Sequence, residues 1–387
     1  MQAMSKVLLV DTNFSAIPIH DYLVSEGHEL FVVGGNSQDA LAKSAGRYVP
    51  QDYSDLDRMR ALIEELEINY LIPGCNDQSY RVCSSLNDDG RYPGIDCLDT
   101  SETINHKQRF REFAQTHDLP VPCLLDTQKI GARWPIIVKP VDAFSGRGVR
   151  ILRKGQVEEL EAAMRQASEY SRTGSCLVED YVEGQLYSHS AFLERQNIVR
   201  DVIVEEHGTA NPFVVDTSRV IPDPSPTMLQ TVRESITTLA RALNLHDGLI
   251  HTQFIHSGEK IWLVEITRRC PGDLYSQLIE LSTGLNYVEN YVRPFLGLPY
   301  RFAPGFDKPV WMMRHTISSP EPFTLNAVCF LVPLHIEKLV SISLTGDRLK
   351  ASPFGRVAIL FVRTDDRKHM DELFGRTLER RLYTLQN

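Results

Sequence analysis

Apolar and polar positions along the chain repeat with two periods, and their alternation predicts the elements. Lys6–Asp11 (KVLLVD), Glu29–Val33 (ELFVV) and Tyr70–Pro73 (YLIP) are short apolar runs of strand type. Ala16–Ser25 and Leu56–Leu66 between them carry the helical period. This β-α-β-α-β rhythm over residues 1–100 predicts a parallel, Rossmann-like sheet. The first strand is followed by DTNFSAIP rather than GxGxxG, so a dinucleotide site fails its main test. Gly34-Gly35 and the run Pro73–Asp77 (PGCND) fall at strand carboxyl ends, where open α/β sheets bind ligands, although most such loops are only turns. A helical stretch over Ser101–Leu119, with Lys107 near a helix start, ends at Leu119-Pro120-Val121-Pro122.

Two further units follow. Strand Ile136–Lys139, a Gly loop, strand Val149–Leu152, helix Val157–Tyr170 and strand Cys176–Glu179 make a small α/β unit. Strands at 187–193, 198–205 and 213–216, a helix at 226–243, a hairpin and a helix at 274–283 make a larger one. After Pro299 come strands Val328–Val332, Ile336–Ser343 and Arg356–Arg363 and a helix at 367–384. The hairpin pairs Leu249–His256 with the strand beginning at Ile261, across the turn Ser257–Lys260 (SGEK). Alternation puts Leu263, Glu265 and Thr267 on one face and Val264 and Ile266 on the other, and brings Gln253 close to Glu265. A carboxylate inside an apolar strand is costly to bury unpaired. An acid, a hydroxyl and a guanidinium at Glu265, Thr267 and Arg269 could hold a metal-bound polyphosphate, or could form a plain strand-end salt bridge.

Composition narrows this picture. With 387 residues the chain exceeds one core, and about two to four domains are expected. Its 42% hydrophobic and 24% charged residues are ordinary for a globular protein. The net charge of −9 argues against a general nucleic-acid binder while leaving room for a locally basic phosphate site. No apolar run approaches the roughly 20 residues of a membrane span. The opening MQAMSKVLLVD enters a strand directly, without a signal-peptide pattern. Seven scattered cysteines, none in CxxC, point to reduced thiols and a cytoplasmic protein, with no structural zinc site.

The remaining chemistry lies in two short segments. Lys139 closes an apolar strand, and the loop Ser145, Gly146, Arg147, Gly148 follows. Most lysines are simply solvated and most Gly loops are hairpins, but small flexible backbone beside an ammonium can also fold over phosphate oxygens. Glu179, Asp180, Tyr181, Val182 and Glu183 end a strand with acids. Such a segment either leaves its sheet into solvent or reads an adenine edge through one backbone C=O and one N–H.

Taken in order, Lys107, Lys139, the Gly loop, 179–183 and Gln253…Glu265-x-Thr267-x-Arg269 resemble the ATP-grasp superfamily, of biotin carboxylase/D-alanine ligase-like fold. The resemblance covers residues 1–300. It implies an α/β and α+β chain: an N-terminal Rossmann-like domain at 1–105, a small ATP-grasp subdomain at 106–183, a large one at 184–300, and a C-terminal α+β segment at 301–387. It further implies that Lys107 and Lys139 contact phosphates, that Ser145–Gly148 close as a lid, and that Glu179–Val182 bind adenine. Glu265 would bind Mg²⁺, or Mn²⁺, and Arg269 would stabilise the transferred phosphoryl group or the acyl phosphate. Three positions depart from the family pattern. Gln253 stands where a first metal-ligating acid is usual, Thr267 where Asn is, and Leu186 where a ribose-binding Glu is expected, leaving Glu183 for the ribose.

The implied activity is an ATP-dependent carboxylate–amine ligase that forms an acyl phosphate and releases ADP. The alternatives are a carboxylase, for which no biotinyl Met-Lys-Met motif is present, and a nucleotide-binding regulatory or scaffold protein with a degraded metal site. The partners are small-molecule carboxylates and amines, without nucleic acid or membrane, in a homodimer as in many relatives. His207, Arg219 and Arg314 are the polar candidates for shaping the substrate pocket.

Overall fold

The computed structural model describes residues 5–128, 130–131, 133–143, 146–306, 308 and 310–387. Lys6–Val10, Glu29–Gly34 and Tyr70–Pro73 form the expected parallel sheet, with Lys6–Val10 in the middle, and Tyr48–Pro50 adds a fourth strand beside Glu29–Gly34 that the sequence reading did not include. Val7 to Val10 are all fully buried, as a strand covered on both faces requires. The loops at the carboxyl edge are tied together by Asp11, whose carboxylate accepts the backbone N–H of Asn13 and of Cys75, each at 2.9 Å. Beyond the second loop, Asn76 caps the helix Asp77–Ser85 by accepting from the Ser79 N–H at 2.9 Å.

The helical stretch at 101–119 is two helices, Leu98–Asn105 and Lys107–Thr116, broken at His106, whose backbone is extended. Lys107 and Arg111, four residues apart, share one face of the second helix. The small unit is a three-stranded antiparallel sheet with Ile136–Pro140 between Arg150–Leu152 and Cys176–Asp180. Ile136 and Val138 pack into a core with Leu160, Ala163 and Ala167 of the helix Leu160–Tyr170. By the period of two, Ile137 and Lys139 face the other way, into a cleft.

The larger unit is an eight-stranded sheet. Its order is Lys260–Thr267, Gly248–Ser257, Gln185–Glu194, Asn197–His207, Thr217–Val220, Trp311–Ile317, Ala358–Thr364 and His335–Ser341. The strand expected at 213–216 lies at Thr217–Val220. The last three strands come from the C-terminal segment, so residues 301–387 extend this sheet rather than stand apart. The helix expected to run to 384 stops at Leu378, and Tyr383–Gln386 is a strand paired with Ala327–Phe330.

The central hairpin has the expected turn, and Gln253 lies directly opposite Glu265. The register then shifts: Phe254 faces Leu263, so Val264 is a bulge. Leu263 therefore joins Phe254 in the core instead of sharing the face of Glu265, which corrects the simple alternation. The carbonyl of the bulged Val264 accepts from Arg111 Nη2 at 3.0 Å. Among the described residues, no helix is long and apolar enough to cross a membrane.

Candidate functional site

The three units enclose a cavity of about 1400 Å³. Its roof is the outer face of the small sheet, with Lys139 and Glu179. Its floor is the face of the large sheet that carries Gln253, Glu265 and Thr267, and its end wall is the loops of the N-terminal sheet.

Three cations converge at the roof. Lys139 bonds to Glu179, and Arg111 Nε donates to the other oxygen of the same carboxylate at 2.9 Å. Glu179 and Arg111 have side chains only 1% exposed. Burial pushes the Glu179 carboxyl up, but Lys139 and Arg111 outweigh it and hold it below its ordinary value. Burial also pulls the Lys139 ammonium below its ordinary value, against the attraction of Glu179. The group of three carries one net positive charge. Lys107 lies nearby, donating to the Ala143 carbonyl at 2.8 Å and standing 3.7 Å from Glu265. The sequence singled out both lysines and missed Arg111; its one signal was the i, i+4 spacing from Lys107.

The segment beyond Glu179 has the backbone geometry of a strand leaving its sheet. The N–H groups of Asp180 and Tyr181 donate to Cys123 and Pro135 carbonyls at 3.1 Å, and among the described residues that of Val182 has no backbone acceptor. The Asp180 side chain is held by Arg133. Tyr181 and Val182 line the cavity, but Glu183 does not. Its side chain is 68% exposed and lies 3.7 Å from Arg153. In the Gly loop, Ser145 lies outside the described residues. Gly146 and Gly148 adopt φ of +63° and +69°, and a Cβ on Gly148 would come within 2.9 Å of the Tyr170 ring. Arg147 lies over the ring of Phe354, 5.7 Å from its centroid.

At the floor, Glu265 is 40% exposed to the cavity. The Thr267 hydroxyl donates to Asp77 Oδ1 at 3.2 Å. Arg269 Nε donates to the same oxygen at 2.8 Å. Burial raises the Asp77 carboxyl, but Arg269 more than offsets this and keeps it low. The neighbouring arginines diverge: Arg268, 2% exposed, is anchored on Asp96 at 2.7 Å and on the Leu249 and His246 carbonyls. The loop beyond them holds two consecutive non-glycine residues in the left-handed region, Asp273 at φ +58° and Leu274 at φ +55°. Backbone of this kind persists where its surroundings over-determine it. Here Arg314 donates to the Asp273 carbonyl at 2.7 Å, and Arg356 pairs with its carboxylate.

Gln253 is also engaged. Its Nε2 donates to Glu206 Oε2 at 2.7 Å. Glu206 is 2% exposed and lines the cavity, and burial raises its carboxyl against hydrogen bonds from Ser188, Gln253 and Tyr275. Nothing in the local pattern VIVEEH distinguished it from its neighbour Glu205. Of the three polar candidates for the pocket, Arg314 lines it. His207 instead pairs with Glu205 at 2.8 Å, and Arg219 pairs with Glu205 and Asp371 on the opposite face of the sheet.

The donors fit a hard cation. Glu265 and Gln253 line the cavity and carry oxygen donors, and among the described residues no cluster of three acids, cysteines or histidines makes a closed metal cage. That is the donor set of Mg²⁺ completed by phosphate and water rather than by protein alone.

Comparison with known proteins agrees with this geometry. The model of the ATP-grasp domain family matches residues 132–277. The phosphoribosylamine–glycine ligase of Pyrococcus abyssi is 21% identical over 318 residues, 72% of each chain. An L-amino acid ligase structure from Bacillus licheniformis superposes with TM-score 0.79 at 16% identity, covering 99% of both chains. The biotin carboxylase domain of the Hydrogenobacter thermophilus 2-oxoglutarate carboxylase, a dimer bound to MgADP and bicarbonate, superposes with TM-score 0.74 at 16% identity, covering 100% of this chain and 91% of that one. Residues 132–277 thus match the ATP-grasp domain family, and the chain as a whole shares the fold of these ligase and carboxylase structures.

Proposed function

We propose that the protein is an ATP-dependent ligase that joins a small carboxylate to an amine through an acyl phosphate, releasing ADP and phosphate. The observation that carries this reading is the excess of buried positive charge at the cavity roof. Lys139 and Arg111 share a single carboxylate, and Lys107 stands beside them, opposite Glu265 and Arg269. Uncompensated charge in a desolvated site is costly, and a polyphosphate is the ligand that balances it. The relatives' names, a phosphoribosylamine–glycine ligase and an L-amino acid ligase, support carbon–nitrogen bond formation.

In this reading Lys107 and Lys139 hold phosphate oxygens, and the backbone of Asp180–Val182 reads the adenine edge. Gly146–Gly148 cover the phosphates and exclude water, which protects the acyl phosphate from hydrolysis. Glu265, with Gln253 and then Thr267, would hold Mg²⁺ or Mn²⁺, which when bound neutralises charge on the polyphosphate. Arg269, held through Nε by Asp77 and through Nη1 by the Cys270 carbonyl, offers its Nη2 N–H groups to the phosphoryl oxygens, where charge compensation does most of the work of phosphoryl transfer. A homodimer and a cytoplasmic location accompany this reading.

The test is a screen of amino acids, sugar acids and other small carboxylates for ADP release, with hydroxylamine in place of the amine. An acid that yields ADP and a hydroxamate supports the proposal. Release of AMP and pyrophosphate would point to adenylate chemistry and overturn it. ATP bound tightly but never cleaved would favour a scaffold, and cleavage driven by bicarbonate alone a carboxylase.

A further inference from the structure

We infer that Glu206 is the positioning residue of the metal site: it anchors the amide of Gln253 by its nitrogen, so that the amide oxygen is the end offered to the cation. It also carries, two strands away, the negative charge that an acid at 253 would have brought. The inference rests on the nucleotide–metal reading above.

Strand order supplies the argument. Across the floor the strands run from the one bearing Glu265 to that of Gln253, then Gln185–Glu194, then that of Glu206. Gln253 thus stands between the two carboxylates, opposite Glu265 in register and bonded to Glu206 at 2.7 Å. A carboxamide has one donor end and one acceptor end. With Nε2 tied down on the Glu206 side, Oε1 is presented on the Glu265 side. A hard cation accepts that oxygen and would reject the amino group.

Glu206 is itself fixed. It is 2% exposed and takes hydrogen bonds from Ser188 and Tyr275 as well as from Gln253. The same contact explains why residue 253 is not acidic. A glutamate there would set two carboxylates within hydrogen-bond distance of each other in a buried floor, where like charges disfavour joint ionisation. The pair Gln253–Glu206 keeps one negative charge and one neutral oxygen donor. Exchanging the two residues keeps the same inventory.

That exchange is the test. E206Q, Q253E and the double variant E206Q/Q253E are compared with wild type by Mn²⁺ titration of the protein–ADP complex, read by electron paramagnetic resonance. ADP binding in EDTA is measured alongside by calorimetry. Each single variant should weaken Mn²⁺ binding by at least about tenfold, and the double should recover to within about threefold of wild type. ADP binding without metal should follow the charge of the floor, weaker in Q253E and no weaker in E206Q, and return to wild type in the double variant. If E206Q fails to fold, the comparison of Q253E with the double variant still decides. Wild-type Mn²⁺ affinity in E206Q, or a double variant no better than Q253E, overturns the inference and leaves the ligase reading intact. A wild type that binds ADP but takes up no Mn²⁺ overturns the metal reading and the inference together.

Discussion

Replacing Glu179 by Gln probes the charge balance over the cavity. The side chain is 1% exposed, with Arg111 Nε at 2.9 Å on one oxygen and the Lys139 ammonium on the other. Unit charges about 4 Å apart attract by about 4 kcal/mol at an effective dielectric near 20, so the carboxylate gains about 8 kcal/mol from its two partners. Its own desolvation offsets several kcal/mol of this, and removing one member of such a buried group costs about 3–5 kcal/mol. Gln keeps the shape and loses the charge, leaving two buried cations facing each other. Urea unfolding at pH 7 should therefore show Glu179→Gln less stable by about 3–5 kcal/mol. The pH dependence has a definite sign. Burial raises the Glu179 carboxyl, but Lys139 and Arg111 bring it below its ordinary value. Its stabilisation is thus fully present above the unfolded value of about 4.3 and is lost as pH falls through the lower folded value. The gap between wild type and variant should close in acid. A loss under about 1 kcal/mol at pH 7, or a gap that persists unchanged at pH 3, would refute the view that these charges are desolvated and mutually dependent.

Lys139→Ala should weaken ATP binding by about 2–5 kcal/mol in calorimetry while the circular dichroism spectrum stays native; unchanged affinity would remove Lys139 from the nucleotide site. Arg269→Lys should keep ATP affinity near wild type and lose at least about tenfold in turnover, about 1.4 kcal/mol of barrier, because lysine cannot hold Asp77 and a phosphoryl oxygen with one planar fork. Glu265→Gln should abolish magnesium-dependent turnover; full activity would put the metal elsewhere. Burial pushes the His251 imidazole down to about 3, so between pH 6.5 and that value the unfolded chain binds a proton the folded chain does not. His251 should therefore contribute a fall in stability of about 1.4 kcal/mol per pH unit as pH drops from 6.5 to 5. His251→Gln should flatten the measured slope by that amount, and an unchanged slope would mean that the imidazole is already protonated when folded.

Much of the molecule was legible in the chain because its signals are local. A strand buried on both faces, such as Lys6–Val10, must be apolar throughout, and KVLLV states that directly. The turn SGEK and its flanking runs set the hairpin, and with it the pairing of Gln253 with Glu265. Lys139 was singled out by its place at the end of an apolar strand before a Gly loop, and it does line the cavity. The order of these segments then led to the ATP-grasp fold.

Only the tertiary structure decided what each polar group is bonded to. The bulge at Val264 arises from matching two strands and taking up a carbonyl with Arg111, so periodicity in one strand put Leu263 on the wrong face. Asp77 meets Arg269 and Thr267 across 190 or more residues of sequence, and no spacing rule reaches that far. Arg268 and Arg269 are indistinguishable as letters, yet one is an anchor in the core and the other faces the cavity, because successive side chains leave the strand end on opposite sides. Glu206 lines the cavity and Glu183 lies beside Arg153 for the same reason. Burial and partner depend on which strands become neighbours, and that is settled by packing the whole sheet rather than by any single segment of it.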